Sequence, residues 1–316
     1  MKFIYTLLFI LLTCCILTHS DVSLYYAILG LELWFDKMVP ALMPFMILSG
    51  IMIRMNLTKN FIALVYPVIK LIFRVSENVC YAMLMGFLCG FPMGAKTVAD
   101  LYSRQMISKK EAQFLLAFCN NIGPVYFVGF VLPLLQRELI LPYVIGMYGI
   151  PLLYGCSLRY TIFKTTINSD NLPHKKINFH KYTDEKKTNT TNPKLLSAVD
   201  EAITSSVQSI LSLGGYMILF NLLNLLPHIL LGHPPTILAP LFEISGGLYL
   251  LQQNAPLYTL LLLPFGGLSC IAQTNSCIKN TDLSIADYTL HKIVLTAWTA
   301  VYYLLWYCIS SSSFLR

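Results

Sequence analysis

The sequence predicts an all-helical polytopic membrane protein, with about ten transmembrane or re-entrant segments in an inverted repeat whose helices are broken by glycine and proline. Three observations carry this expectation. Of 316 residues, 56% are hydrophobic and only 12% are charged, about half the charge of a soluble domain. Ten apolar stretches recur along the chain, several with Gly and Pro in their interiors. Two pairs of segments match between the halves of the chain.

This composition excludes a soluble globular enzyme and a disordered chain. It also excludes a nucleic-acid binder, because the formal charge of +7, from 22 basic and 15 acidic residues, sits mostly between apolar runs. The nine cysteines are spread through apolar segments with no CxxC pair, and the six histidines do not cluster. The cysteines read as small packing residues, and no metal or other cofactor is predicted.

Residues 1–20 place Lys2 before an apolar run from Phe3 to Leu17, the form of a signal peptide or a first transmembrane helix. An uncleaved helix or signal anchor is favoured, since the chain has no A-x-A exit there. Further apolar segments run over 38–55, 60–75, 79–95, 112–135, 139–163, 202–226, 236–251, 256–273 and 292–309, each close to the roughly 20 residues of a crossing. Residues 21–163 form the first membrane repeat and 198–316 the second. Between them, 164–197 holds Lys164, Lys175, Lys176, Lys181, Lys186, Lys187 and Lys194 among polar residues, a basic linker.

Alternating the ten segments with the N-terminus inside puts 16 of the 22 Lys and Arg residues on the cytoplasmic side. Lys37, Lys70, Arg74, Arg137, Lys279 and Lys292 fall outside or at outer ends. The positive-inside rule therefore places both termini and the linker in the cytoplasm.

The stretch from Gly90 to Lys96 lies on Gly266 to Ala272 at a shift of 176, and Asp36–Gly50 lies on Glu201–Gly215 at a shift of 165. On the alternating topology the matched segments run in opposite senses. Inverted repeats with broken helices are the architecture of secondary transporters, which expose one central site alternately to either side.

Gly90, Pro92 and Gly94 predict one break, because an interior proline removes a backbone hydrogen bond. Free backbone groups in hydrocarbon are tolerated only against protein or a water-filled cavity. Helix ends and Lys96 together suit an anionic group there; the alternative is small-residue packing with Lys96 reaching to the surface. Asn120 and Asn121, before Gly123 and Pro124, put two amides and a second break in an apolar segment. They bind a solute or tie helices together. Gly266 and Gly267 form the matching break, followed by Gln273 and Asn275. Glu243 stands alone as a carboxylate within its segment, a candidate for proton or cation coupling. No Walker loop, G-x-S-x-G, HExxH or G-x-G-x-x-G occurs, so neither ATP use nor enzyme chemistry is expected.

Pro40 to Gly50, Gly90 to Lys96, Ile107 to Ala112, Phe118 to Pro124, and Phe265 to Ser269 with Gln273 together resemble the YlbJ-like sporulation integral membrane proteins, which carry the nucleoside-recognition or Gate domain. The resemblance spans about residues 30 to 305. It implies a transporter in the outer forespore membrane that passes dipicolinic acid, a small aromatic dianion. Cys270 and Ile271 depart from the more polar residues usual there. Lys96, Asn120, Asn121, Gln273 and Asn275 are then the substrate-binding candidates and Glu243 the coupling residue. The partners expected are the lipid bilayer and the small anionic solute, with a second copy of the chain or other sporulation membrane proteins left open. Two alternatives stand beside this reading, a nucleoside-type solute and a non-transporting scaffold or sensor.

Overall fold

In the computed structural model, residues 2–135, 140–164 and 195–310 are described. Six lysines of the basic linker, with Arg137 and Arg316, lie outside these residues. Every described element is helical: α1 (Lys2–Thr18), α2 (Ser20–Leu33), α3 (Val39–Arg54), α4 (Thr58–Ile62), α5 (Tyr66–Phe73), α6 (Glu77–Cys89), α7 (Met93–Ser103), α8 (Lys109–Phe118), α9 (Pro124–Tyr126), α10 (Ile140–Val144), α11 (Ile150–Tyr160), α12 (Leu195–Leu222), α13 (Leu225–Leu231), α14 (Ala239–Phe242), α15 (Ile244–Leu251), α16 (Pro256–Leu262), α17 (Gly267–Ile278) and α18 (Ile285–Ser310). Wide π-helical turns join α2 to α3, extend α9, and join α10 to α11.

Among the described residues, five helices are long and apolar enough to cross a bilayer: Ser20–Arg54, Ile140–Tyr160, Leu195–Leu231, Pro256–Ile278 and Ile285–Ile309. A sixth arises if Tyr66–Phe73 and Glu77–Cys89 count as one span, but they meet at 102°. The first span is longer than its apolar stretch. Glu32, Asp36 and Lys37 weaken the hydropathy signal, yet all three are exposed while Leu29, Leu33 and Met38 are buried, so the helix continues with its polar residues facing outward.

Contacts fix which ends lie together. At one end, which we call the linker end, Arg54 pairs with Glu201 (3.2 Å), Lys59 with Glu77 (2.9 Å), and Lys109 with Asp282 (2.8 Å). There Asn78 also donates to the Met106 carbonyl (3.0 Å), and buried Arg159 donates to the carbonyls of Phe73 and Phe163. At the opposite end Tyr26 meets His228, Gln253 donates to Pro133 O, and Tyr302 to Pro142 O.

These contacts correct the alternating topology. Residues 77 and 106 share an end, so α6 and α7 form a re-entrant hairpin that turns back at Gly90 to Pro92. Helices α4 and α5 lie at the linker end, bringing Arg74 with them. Lys279 precedes Asp282 at that same end, not the opposite one, and Lys292 is buried at 1% exposure. Phe163 lies near Ser284 and Tyr303 near Tyr143, so α18 runs away from residue 164. Its described end lies opposite residues 164 and 195, not beside them as the alternation required. A second, shorter hairpin, α14 and α15, turns at Glu243 from the opposite end.

Helix α12 lies antiparallel along α2 and α3. Trp34 Nε1 donates to Ile210 O (2.8 Å), and a β-carbon on Gly30 would sit 2.9 Å from Ile218 Cα. The stretches 36–50 and 201–215 thus pack against each other in opposite directions. The crossing helices and two hairpins enclose one apolar core around Phe114, Phe118 and Tyr81, and a second around Ile244, Leu260 and Tyr303.

Candidate functional site

The two breaks of the first half rest on each other. Gly90 ends α6 with φ +79°, a conformation costly for any residue with a β-carbon, and a β-carbon there would run into the backbone of Gly123. Phe91 N–H then donates to Asn121 O (2.7 Å). Asn120 spans three elements: its Oδ1 accepts from Ala95 N–H (3.3 Å), and its Nδ2 donates to Thr274 Oγ1 (2.9 Å) and Tyr288 OH (3.0 Å). Asn121 Nδ2 donates to Phe118 O (2.5 Å). The amides therefore satisfy backbone groups freed by the breaks.

In the second half, Gly266 and Gly267 have φ of +75° and +78°, which opens the chain between α16 and α17. A β-carbon on Gly267 would meet Pro240 O at 3.0 Å, and one on Gly266 would lie 2.7 Å from Phe91 Cζ. Glu243 is the tip of the short hairpin. Its oxygens accept from the N–H groups of Ser245 (3.1 Å) and Gly246 (2.6 Å), capping α15, and from Asn221 Nδ2 (3.1 Å) on α12. Its exposure is 2%.

The turns at 90–92 and at Glu243 are hairpin tips, whereas 119–123 and 263–266 lie between consecutive helices, α8 and α9 in one case and α16 and α17 in the other. Gly90 and Gly266, matched at the shift of 176, thus sit in breaks of different kinds.

Sequence reasoning missed Lys292. From α18 it reaches Asn121 Oδ1 (3.0 Å), Pro264 O (3.3 Å) and the carbonyl of Asn120. The Phe91 ring lies 4.9 Å from its ammonium. Its position near the start of an apolar run reads as a surface lysine, and only tertiary packing reveals otherwise.

Two spaces adjoin this centre. A polar recess of about 300 Å³ lies between α7, α12 and α17 at the linker end. Lys96 lines it, donating to Ser205 Oγ (3.1 Å) and lying 3.8 Å from Asp100. Ser209, Ser212, Ser276 and Lys279 add hydroxyls and a second cation. Deeper in, a cavity of about 30 Å³ is lined by Phe91, Gly123, Tyr126, Glu243, Ser245 and Cys270, among others. Leu213 and Gln273 line both spaces. Lys96 thus lines the outer recess, Glu243 the inner cavity and Gln273 both. Asn120 and Asn121 stand behind the breaks, away from both spaces, and Asn275 is exposed on the side of α17 away from Gln273.

The chain is similar to the sporulation integral membrane protein YlbJ of Bacillus subtilis (strain 168), with 27% identity over 331 aligned positions that cover 94% of this chain and 80% of the relative. It is a YlbJ-like protein on that similarity, and the relative's description as an integral membrane protein accords with the apolar helices. No family model matches the sequence, and no solved structure matches it.

Proposed function

We propose that this YlbJ-like chain carries a small organic anion, dipicolinate, across a sporulation membrane by alternating access and without chemical conversion. The observation that carries this reading is the polar recess lined by Lys96 and Gln273. Its lining has Lys96 and Lys279 against Asp100, a positive balance suited to a dianion, with hydroxyl donors for carboxylate oxygens. Its volume is at the lower end of the about 300–1,000 Å³ usual for small-molecule sites.

The inverted-repeat reading is supported by the order of elements, long helix, hairpin, broken crossing, long helix, in each half with opposed directions. Such a repeat lets one half rock against the other around the hairpin tips. Glu243, at the inner cavity, is the residue we assign to proton coupling. Arg54, Lys59, Lys96, Lys109, Lys110 and Lys279 gather at the linker end, which the positive-inside rule makes cytoplasmic. In the outer forespore membrane the recess would then load from the mother cell.

The neutral amide of Gln273 and the serines also favour a second solute class, nucleosides. Uptake of labelled dipicolinate into proteoliposomes, with uridine as competitor, tests both. Wild-type uptake should fall about tenfold or more in Lys96→Gln, as expected for loss of one hydrogen bond to a charged group, about 1.5–3 kcal/mol. Uridine transport untouched by Lys96→Gln would favour the nucleoside. No uptake, with activity in spores abolished by deleting residues 170–192, would point to a scaffold.

A further inference from the structure

Lys292 is the most deeply buried cation among the described residues, and none of their carboxylates lies within ion-pair distance of it. An ammonium in such a place is tolerated only if oxygens replace its water. Three do: the carbonyl of Asn120, Oδ1 of Asn121 and the carbonyl of Pro264. The rings of Phe91 and Tyr288, 4.9 and 5.7 Å from the nitrogen, turn aromatic faces toward it.

The origin of these oxygens matters. Asn120 follows the last turn of α8, where the helix dipole is negative, and Pro264 stands in the unwound stretch between α16 and α17. They belong to two breaks, one from each half. Unwound carbonyls at paired breaks are the means by which broken membrane helices hold a small monovalent cation. Here the cation is covalently attached to a third helix.

We propose that the oxygens of Asn120, Asn121 and Pro264 form a monovalent-cation site and that the Lys292 ammonium is its tethered occupant. The protein then needs no free sodium or potassium ion to hold both breaks together. Removing the side chain leaves a site that a free cation can fill. On the transport reading above, which this consequence rests on, solute movement is independent of a sodium gradient.

The test measures the unfolding temperature of detergent-purified protein in choline chloride, titrated at constant ionic strength with sodium, potassium or methylammonium chloride. Lys292→Ala should unfold at lower temperature in choline and regain at least half of the loss, saturably, with one of the small cations. Wild type and Lys292→Met, whose thioether fills the space without charge, should not respond. Lys292→Ala as stable as wild type in choline overturns the proposal, as does an equal response in Lys292→Met. Should Lys292→Ala not fold in any salt, Lys292→Gln decides, because glutamine donates hydrogen bonds without charge: a destabilised Gln variant supports a cation site, and one of wild-type stability overturns it. Wild-type uptake in proteoliposomes should be unchanged when sodium is replaced by choline. Uptake driven by a sodium gradient overturns the tethered role, whereas absence of any uptake beside an intact cation response in Lys292→Ala fails the transport reading alone.

Discussion

The ring of Phe91 rests on Gly266, so that a β-carbon at residue 266 would lie 2.7 Å from Phe91 Cζ. The tip of the long hairpin in one half thereby touches the break of a crossing helix in the other. Because Gly266 also has φ +75°, Gly266→Ala meets both a strained backbone and a fixed ring. It should destabilise the protein by about 2–4 kcal/mol. Part of that loss should return in a Phe91→Leu background. Thermal unfolding of the two single variants and the double variant gives the coupling, and strict additivity would count against the contact.

Asn120 is held by Ala95, Thr274 and Tyr288. Asn120→Ala leaves buried donors and acceptors unsatisfied and should cost about 2–4 kcal/mol. Asn120→Asp should not rescue it, because a charged carboxylate at this buried position must be desolvated, even though the Thr274 and Tyr288 hydroxyls can turn to donate to it. Denaturation of purified protein checks this, and Tyr288→Phe should cost less than either.

Glu243 accepts three N–H hydrogen bonds. Glu243→Gln replaces one acceptor by a donor facing N–H groups and should lose about 1–3 kcal/mol. If the residue also carries the coupled proton, the variant's uptake should no longer respond to an imposed pH gradient. Equal pH responses in wild type and variant would confine Glu243 to capping α15.

Outside the membrane, Asp282 has its carboxyl held below the usual carboxylate range by hydrogen bonds from Lys109 first and from Tyr102 second. A depressed carboxyl contributes stability above its unfolded value, near pH 4, and that contribution is lost as pH falls through the folded value. Wild-type protein should therefore weaken toward pH 3 more steeply than Asp282→Asn, while the two converge in their pH dependence above about pH 5. Unfolding temperatures across this range provide the check.

Hydropathy alone made the helical membrane fold legible, since apolar segments of crossing length have few alternatives in lipid. The breaks at Gly90 to Pro92 and at Gly123 to Pro124 were legible for the same local reason, proline and glycine chemistry. Segment direction was not. A re-entrant hairpin and a crossing helix have the same composition, and only the pairing of Asn78 with Met106 tells them apart. Among the residues that line the recess and the inner cavity, Lys96, Glu243 and Gln273 stand out in the sequence because each is a polar side chain in apolar surroundings. Asn275 shares that signature but lies two residues on, on the far side of the same helix. Lys292 was hidden because its oxygens come from residues 120, 121 and 264, far away in sequence.

The sharing of Leu213 and Gln273 by the recess and the inner cavity has a further consequence for two sulfur atoms. Cys277 lines the outer recess and Cys270 the inner cavity, less than two helical turns apart on α17. A water-soluble maleimide should therefore alkylate half-buried Cys277 faster than buried Cys270. The protein thus carries a native pair of labelling positions at different depths of one helix, and their relative alkylation compares access to the outer recess with access to the inner cavity.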